Sequence, residues 1–180
     1  MIAIADVNEQ WGIGKDGDLL VYIPEDMKFF RRTTKGAVVI MGRRTLESFP
    51  GKAPLKGRKN LVITHTGIGP ETQDAYAKMK AAEDGTELLA FTDVDKLLEY
   101  CAQYPGDSVF VIGGESVYRL MLPYCDKCLI TKNDYQGEPD TYFPNLDEDP
   151  EWTETEHGPE NVTEDGIRYR FTVYERIRTD

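Results

Sequence analysis

Cysteine is scarce, three in 180 residues, and an odd, sparse count excludes a disulfide scaffold. Histidine is scarcer still. His65 and His157 are the only two, with no spacing that suits a metal site or a Ser/His/Asp arrangement, so no metal is expected. No apolar run approaches the ~20 residues that a membrane span requires. The opening Met1-Ile2-Ala3-Ile4-Ala5-Asp6 has no basic segment and meets an acid at once, so no signal peptide is expected. Positive charge is in deficit, 21 Lys+Arg against 32 Asp+Glu, a net −11. Such a balance speaks against nonspecific binding to nucleic acid or to anionic membranes. The lone Cys125-Asp126-Lys127-Cys128 has no second pair and no thioredoxin-like context, and reads as two reduced thiols. These absences leave a cytoplasmic globular chain, expected to be a monomer.

Forty per cent of residues are hydrophobic and 11% aromatic, enough to bury one core in a single domain over residues 1–180. Charge is unevenly spread. Residues 1–59 hold 11 Lys+Arg and 7 Asp+Glu, whereas residues 60–180 hold 10 and 25. A basic N-terminal third in an acidic chain suits a small anionic ligand. Lys28, Arg31, Arg32 and Lys35 fit equally the plain role of a solvated helix face.

The hydropathy pattern alternates strand and helix. Ile2–Val7 is a short apolar strand, followed by a Gly-rich stretch over residues 11–17. Pro24-Glu25-Asp26 opens a helix, with proline in the first turn and acids on the N-terminal dipole, and Gly36 ends it. Ala37–Met41, Leu61–Thr64, Glu87–Phe91, Val109–Ile112 and Cys128–Thr131 read as further strands. Asp93 caps a helix carrying Val94, Leu97, Leu98 and Cys101, and another helix spans Val117–Leu122. Glu164-Asp165-Gly166 turns into Ile167–Val173, whose alternation predicts an antiparallel edge strand. The class is α/β on a mixed sheet, parallel first and antiparallel at the end.

Open α/β sheets bind ligands at the carboxyl ends of their strands. Three such ends carry suitable residues: Met41-Gly42-Arg43-Arg44-Thr45, Thr64-His65-Thr66 and Gly113-Gly114-Glu115-Ser116. Paired glycines allow close backbone approach to a pyrophosphate, and forked guanidinium donors suit phosphate. Turn or packing glycines would look the same, and the third glycine of the Rossmann fingerprint is missing. Asp26 lies one helical turn before Phe30, so carboxylate and ring share a face, where desolvation should raise its pKa. An N-terminal-turn Asp serving the helix dipole has the same spacing. Trp11 is either a loop aromatic or a packing residue.

In order and spacing these segments resemble the dihydrofolate reductase family from Ile2 to the last strand. The resemblance rests on Trp11-Gly12-Ile13-Gly14-Lys15-Asp16-Gly17-Asp18-Leu19, Ile23-Pro24-Glu25-Asp26-Met27-Lys28-Phe29-Phe30 and Val39–Ser48. Gly57-Arg58-Lys59-Asn60, Val111–Tyr118 and Asp140-Thr141-Tyr142-Phe143-Pro144 complete it. It implies an eight-stranded mixed sheet flanked by helices, with NADPH and dihydrofolate meeting at the strand ends and pterin-like antifolates as inhibitors. Asp26 would hold the pterin and act electrostatically while solvent delivers the proton. Phe30 and Leu55 would sandwich the rings, Arg58 would pair with the glutamate carboxylate, and Thr131 would orient Asp26. Ile4, Ala5, Ile112 and Tyr118 complete the implied substrate pocket. On the cofactor side the resemblance implies Ala5, Ile13, Gly14, Gly17, Asp18, Leu19 and Gly42. Arg43, Arg44, Thr45, Thr64 and His65 would take the adenosine end with its extra phosphate, and Gly113, Gly114, Glu115, Ser116, Val117 and Tyr118 the pyrophosphate and nicotinamide. Gly12–Asp18 matches the family's mobile loop.

The sequence departs from the family pattern in three places. Leu20-Val21 stands where Pro-Trp is usual, Asp6 where a small residue is usual, and Gly67–Gly85 is long, with Thr72 expected to cap a short extra helix. Alternation puts Ile2, Ile4 and Asp6 on one face, with Lys15 or a ligand as partners for Asp6. The other reading ends the strand at Ala5 and turns Asp6 to solvent. A riboflavin-pathway reductase shares the implied fold, but Asp26 and Phe30 with Arg58 suit a pterin joined to a glutamate tail. A catalytically silent folate- or NADPH-binding protein is the alternative from another class.

Overall fold

The computed structural model describes residues 1–178. Seventeen strands and helices follow in order: β1 (Ile2–Val7), β2 (Gly12–Lys15), β3 (Asp18–Leu19), α1 (Pro24–Thr34), β4 (Val38–Gly42), α2 (Arg43–Ser48) and β5 (Lys59–Ile63). Next come α3 (Pro70–Ala81), β6 (Glu87–Phe91), α4 (Val94–Cys101), β7 (Val109–Gly113), α5 (Glu115–Met121) and β8 (Lys127–Asn133). The chain ends with β9 (Thr141–Tyr142), β10 (Trp152–His157), β11 (Asn161–Val162) and β12 (Arg168–Arg176). The spine of the main sheet is the expected eight strands, in the order β10-β12-β8-β1-β7-β4-β5-β6, with β11 added beside β12. From β8 to β6 every pairing is parallel, while β12 runs antiparallel to β8 and β10.

The interior strands are buried on both sides, which is why β4, β5 and β7 read as continuous apolar runs. Their side chains divide into two clusters. Ala3, Val7, Ile40, Leu61 and Val111 belong to one, packed with Trp11, Leu97, Met121 and Phe143. Ile2, Ile4, Val39, Met41, Val62 and Phe110 belong to the other. Asp93 caps α4 as expected, its carboxylate accepting from the Asp95 N–H at 2.8 Å. Gly36 follows α1 at φ +70, a conformation that favours glycine.

Three local expectations need correction. β12 is antiparallel but lies second from the edge, because β10 adds outside it. The segment Thr153-Glu154-Thr155-Glu156 buries little and gives no apolar signal. Thr72 is no cap: α3 opens at Pro70 with Gly69 before it, and Thr72 is buried inside the helix. The Gly-rich stretch is not a loop but the hairpin β2–β3, which joins β9 in a second, three-stranded sheet. A side chain at Gly14 would meet Thr141 Oγ1 at 2.5 Å, so only glycine lets β2 lie this close to β9. Trp11 packs in the core, 6.2 Å from the Phe143 ring and 5.9 Å from that of Tyr174.

Candidate active site

The cleft begins where two strands part. β1 pairs with β8 along all six of its residues but with β7 only at Ile2↔Phe110 and Ala3↔Val111. Beyond Ala3 the sheet is open between them, so Ile4, Ala5 and Asp6 face a gap bordered by Ile112 and Gly113. The Ile4 carbonyl accepts instead from the buried Tyr118 hydroxyl at 2.6 Å. β7 bulges at the same level, Met41 pairing with Gly113 rather than Ile112.

On one side of this gap stands α1. Asp26, in its first turn, accepts from Thr131 Oγ1 at 2.6 Å across the cleft floor. Burial raises its pKa and the Thr131 hydrogen bond holds part of that rise back. Phe30, one turn on, packs with Leu55 and Ile112 against the cluster that contains Ile4. Arg58 lies beyond, with its Nε–H on the Lys56 carbonyl at 3.0 Å and Nη1 on Thr34 Oγ1 at 3.2 Å. Burial and the neighbouring Arg31 charge lower its pKa. Among the described residues neither Asp26 nor Arg58 belongs to an ion pair.

The other side is built from glycine and small residues at the ends of β4, β5 and β7. A Cβ on Gly42 would meet Val117 Cγ2 at 3.2 Å, and one on Gly114 would meet Thr45 Oγ1 at 3.4 Å. Gly113, at φ +128, is turned toward Tyr118. Arg44 and His65 are exposed just beyond the paired strand ends Gly42↔Ile63, and Thr64 is buried with its hydroxyl close to Thr66. Thr45, Val117 and Tyr118 therefore gather with the three glycines, which leaves room for a dinucleotide's backbone-hugging pyrophosphate.

Other expected residues have protein partners or lie exposed. Arg43 is engaged by Glu47 at 2.7 Å and Thr66 at 2.5 Å. Glu115 pairs along α5 with Arg119 at 3.3 Å, and Ser116 is exposed beside it. Gly17, Asp18 and Leu19 form the exposed tip and outer strand of the hairpin, while Ile13 packs on the core and Gly14 is buried.

Asp6 differs most from expectation. β1 continues to Val7, so Asp6 keeps the inward face of Ile4 and does not turn to solvent. Its protein partner is not Lys15, which is exposed, but Asn133, whose Nδ2 donates to Asp6 Oδ1 at 2.7 Å. Burial, then the Asp26 charge, push the Asp6 pKa well up. Asn133 had no signal in the sequence; only the register of β8 against β1 brings it there. Cys125 and Cys128 are free, buried thiols, and burial pushes Cys125 to about 12.

A parallel sheet that splays at its centre, with an acid on one wall and a glycine-lined groove on the other, defines an α/β ligand-binding enzyme of the open-sheet class. The dihydrofolate reductase family matches residues 1–176. The chain belongs to that family. It is 35% identical to the dihydrofolate reductase of Neisseria gonorrhoeae, over 95% of this chain and 94% of that protein. With the Bacillus subtilis dihydrofolate reductase it shares 34% identity, over 91% and 87%. It is also 38% identical, over 97% of its length, to the bifunctional dihydrofolate reductase-thymidylate synthase of Daucus carota, of which it spans only 33%.

Proposed function

We propose that the chain, acting as one domain over residues 1–180, reduces 7,8-dihydrofolate to 5,6,7,8-tetrahydrofolate and so feeds one-carbon metabolism. NADPH, when bound, supplies the hydride. One observation carries this reading: a half-buried carboxylate and a guanidinium, neither in an ion pair, mark the two ends of one helical stripe. Asp26 and Thr34, the partner of Arg58, are eight residues apart on α1, roughly 12 Å at 1.5 Å per residue. A pterin, a benzoyl spacer and a glutamate fill such a length, with Phe30, Leu55, Ile4 and Ile112 around the rings.

In this reading Asp26 accepts hydrogen bonds from the pterin's amino group and ring nitrogen. Its negative charge makes the pterin more basic, and water delivers the proton to the ring nitrogen beside the reduced carbon. Thr131 fixes the carboxylate's orientation, and Arg58 holds the tail. Gly42, Thr45, Gly113, Gly114, Val117 and Tyr118 would border the pyrophosphate and nicotinamide, with Ala5, Ile13 and Gly14 on the opposite wall. Arg44, Thr64 and His65 would take the extra phosphate. Arg43, Glu115 and Ser116 would support this wall, and Gly17, Asp18 and Leu19 would close over it. Pterin-like antifolates would occupy the pocket beside Asp26. The net charge of −11 and the reduced thiols support a cytoplasmic monomer without nucleic-acid or membrane partners.

The test is steady-state turnover of dihydrofolate with NADPH by wild type and Asp26→Asn. The variant should lose about 10²–10³-fold at neutral pH, as for one electrostatic contact worth roughly 3–4 kcal/mol. Lower pH should restore part of the rate, since solution then supplies protonated substrate. A wild type without turnover, or a variant that keeps most of its neutral-pH rate, defeats the reading.

A further inference from the structure

A second carboxylate lies beside the one just described, and its surroundings are specific. Asp6 pairs in register with Thr131, the residue that hydrogen-bonds Asp26. Asp6 Oδ1 accepts from Asn133 Nδ2 at 2.7 Å, and that amide is fixed in orientation because its own oxygen accepts from the Tyr135 N–H at 3.0 Å. Thr131 has one hydroxyl hydrogen and gives it to Asp26, so it cannot also serve Asp6.

Among the described residues, the groups facing the pair carry no positive charge. From α5 comes Tyr118, whose hydroxyl is committed to the Ile4 carbonyl. β8 brings Thr131 and Asn133, β12 brings Tyr169, and α1 adds the acid Glu25 near Tyr169. From β7 come only Ile112 and Gly113, and Lys15 on the hairpin is exposed. Among the described residues no Lys, Arg or His forms an ion pair with Asp6 or Asp26. Two anions in one poorly solvated place, without a cation, are relieved by binding a proton.

We propose that Asp6 and Asp26 hold one proton between them near neutrality, with Asp6 a positioning residue that sets the charge Asp26 presents to the pterin. The single shared proton keeps the pair at one negative charge, the state that stabilises a cationic pterin. It stays with the pair through turnover, and the proton added to the pterin still comes from water. This deepens the reductase reading and rests on it for the pterin, but the shared proton is a property of the protein alone.

The experiment is a ¹³C NMR titration of aspartate-labelled protein without ligands, in wild type, Asp6→Asn and Asp26→Asn. In wild type both carboxyls should show two steps, as expected when sites interact by more than about 1 pH unit. Asp6→Asn keeps an oxygen for Asn133 and should leave Asp26 with one step at a midpoint lower by about 1 pH unit. By reciprocity Asp26→Asn should lower the Asp6 midpoint by the same amount, and this arm stands if Asp6→Asn fails to fold. The pH profile of the hydride step should pass from two acid-side ionisations in wild type to one in Asp6→Asn. Single, unmoved steps in all three proteins overturn the proposal. Coupled titration in a protein that does not turn over dihydrofolate would leave the shared proton standing and remove the reductase reading instead.

Discussion

The hydroxyl of Thr131 donates to Asp26 Oδ1 at 2.6 Å, joining the fifth residue of β8 to the first turn of α1 over a separation of 105 residues. This contact opposes the upward effect of burial on the Asp26 pKa. Thr131→Val keeps the shape and removes the donor. A hydrogen bond to a charged group is worth about 1.5–3 kcal/mol, so the Asp26 midpoint should rise by about 1–2 pH units. Carboxyl NMR and the pH–rate profile both read this, and Thr131→Ser should restore the wild-type value. An unmoved midpoint would show that the bond does not discriminate between charge states.

Arg58→Ala removes a guanidinium that no acid among the described residues neutralises. The KM for dihydrofolate should rise roughly 10- to 150-fold, the equivalent of about 1.5–3 kcal/mol, with kcat little changed. A dihydropteroate without the glutamate should be used equally well by variant and wild type. Equal loss on both substrates would place the tail elsewhere.

Arg44 is exposed and unpaired among the described residues, whereas Arg43 is held by Glu47. NADPH should be preferred over NADH by at least about tenfold, the value of one charge-assisted contact. Arg44→Ala should erase most of that preference and Arg43→Ala little of it. The ratio of kcat/KM for the two cofactors decides.

Asp6 also bears on stability. Burial and the Asp26 charge raise its pKa in the folded protein, so between the ordinary carboxylate range and that raised value the folded state binds more protons than the unfolded one. Stability contributed at this site is therefore present at low pH and falls as pH rises through the window. Asp6→Asn should melt higher than wild type at pH 7–8, by roughly 2–4 °C per kcal/mol recovered. The advantage should shrink to nothing near about pH 4. Melting curves across that range test it; a difference independent of pH would trace the effect to packing.

Strands buried on both faces announce themselves, and the runs at Val38–Ile40, Leu61–Val62 and Val109–Val111 predict the interior of the sheet without help from tertiary context. So do Pro24 and Asp93 at helix starts, where the chemistry is local. β10 escapes notice because its glutamates and threonines face water, and the hairpin at Gly12–Leu19 because backbone pairing with Thr141–Tyr142 substitutes for side-chain pattern. Asp26 and Phe30 are visible in the sequence as an acid and a ring one helical turn apart, whereas Leu55 and Arg58 enter only through the family resemblance. The splay between β1 and β7, and with it the approach of Asn133 to Asp6, depends on pairings between residues more than a hundred positions apart. No local pattern encodes a distance of that kind.

β1 supplies alternate residues to two different interiors, Ala3 and Val7 to one and Ile2 and Ile4 to the other. Inserting or deleting one residue between Ile2 and Asp6 would exchange those faces at a stroke. Isoleucines would be driven into space built for alanine, and Asp6 would leave Asn133. The strand is thus frozen in length as well as composition. The turn at Glu83–Gly85, exposed or half-buried between α3 and β6, carries no such constraint. An inserted residue should be tolerated there, but not among the six residues that divide the core.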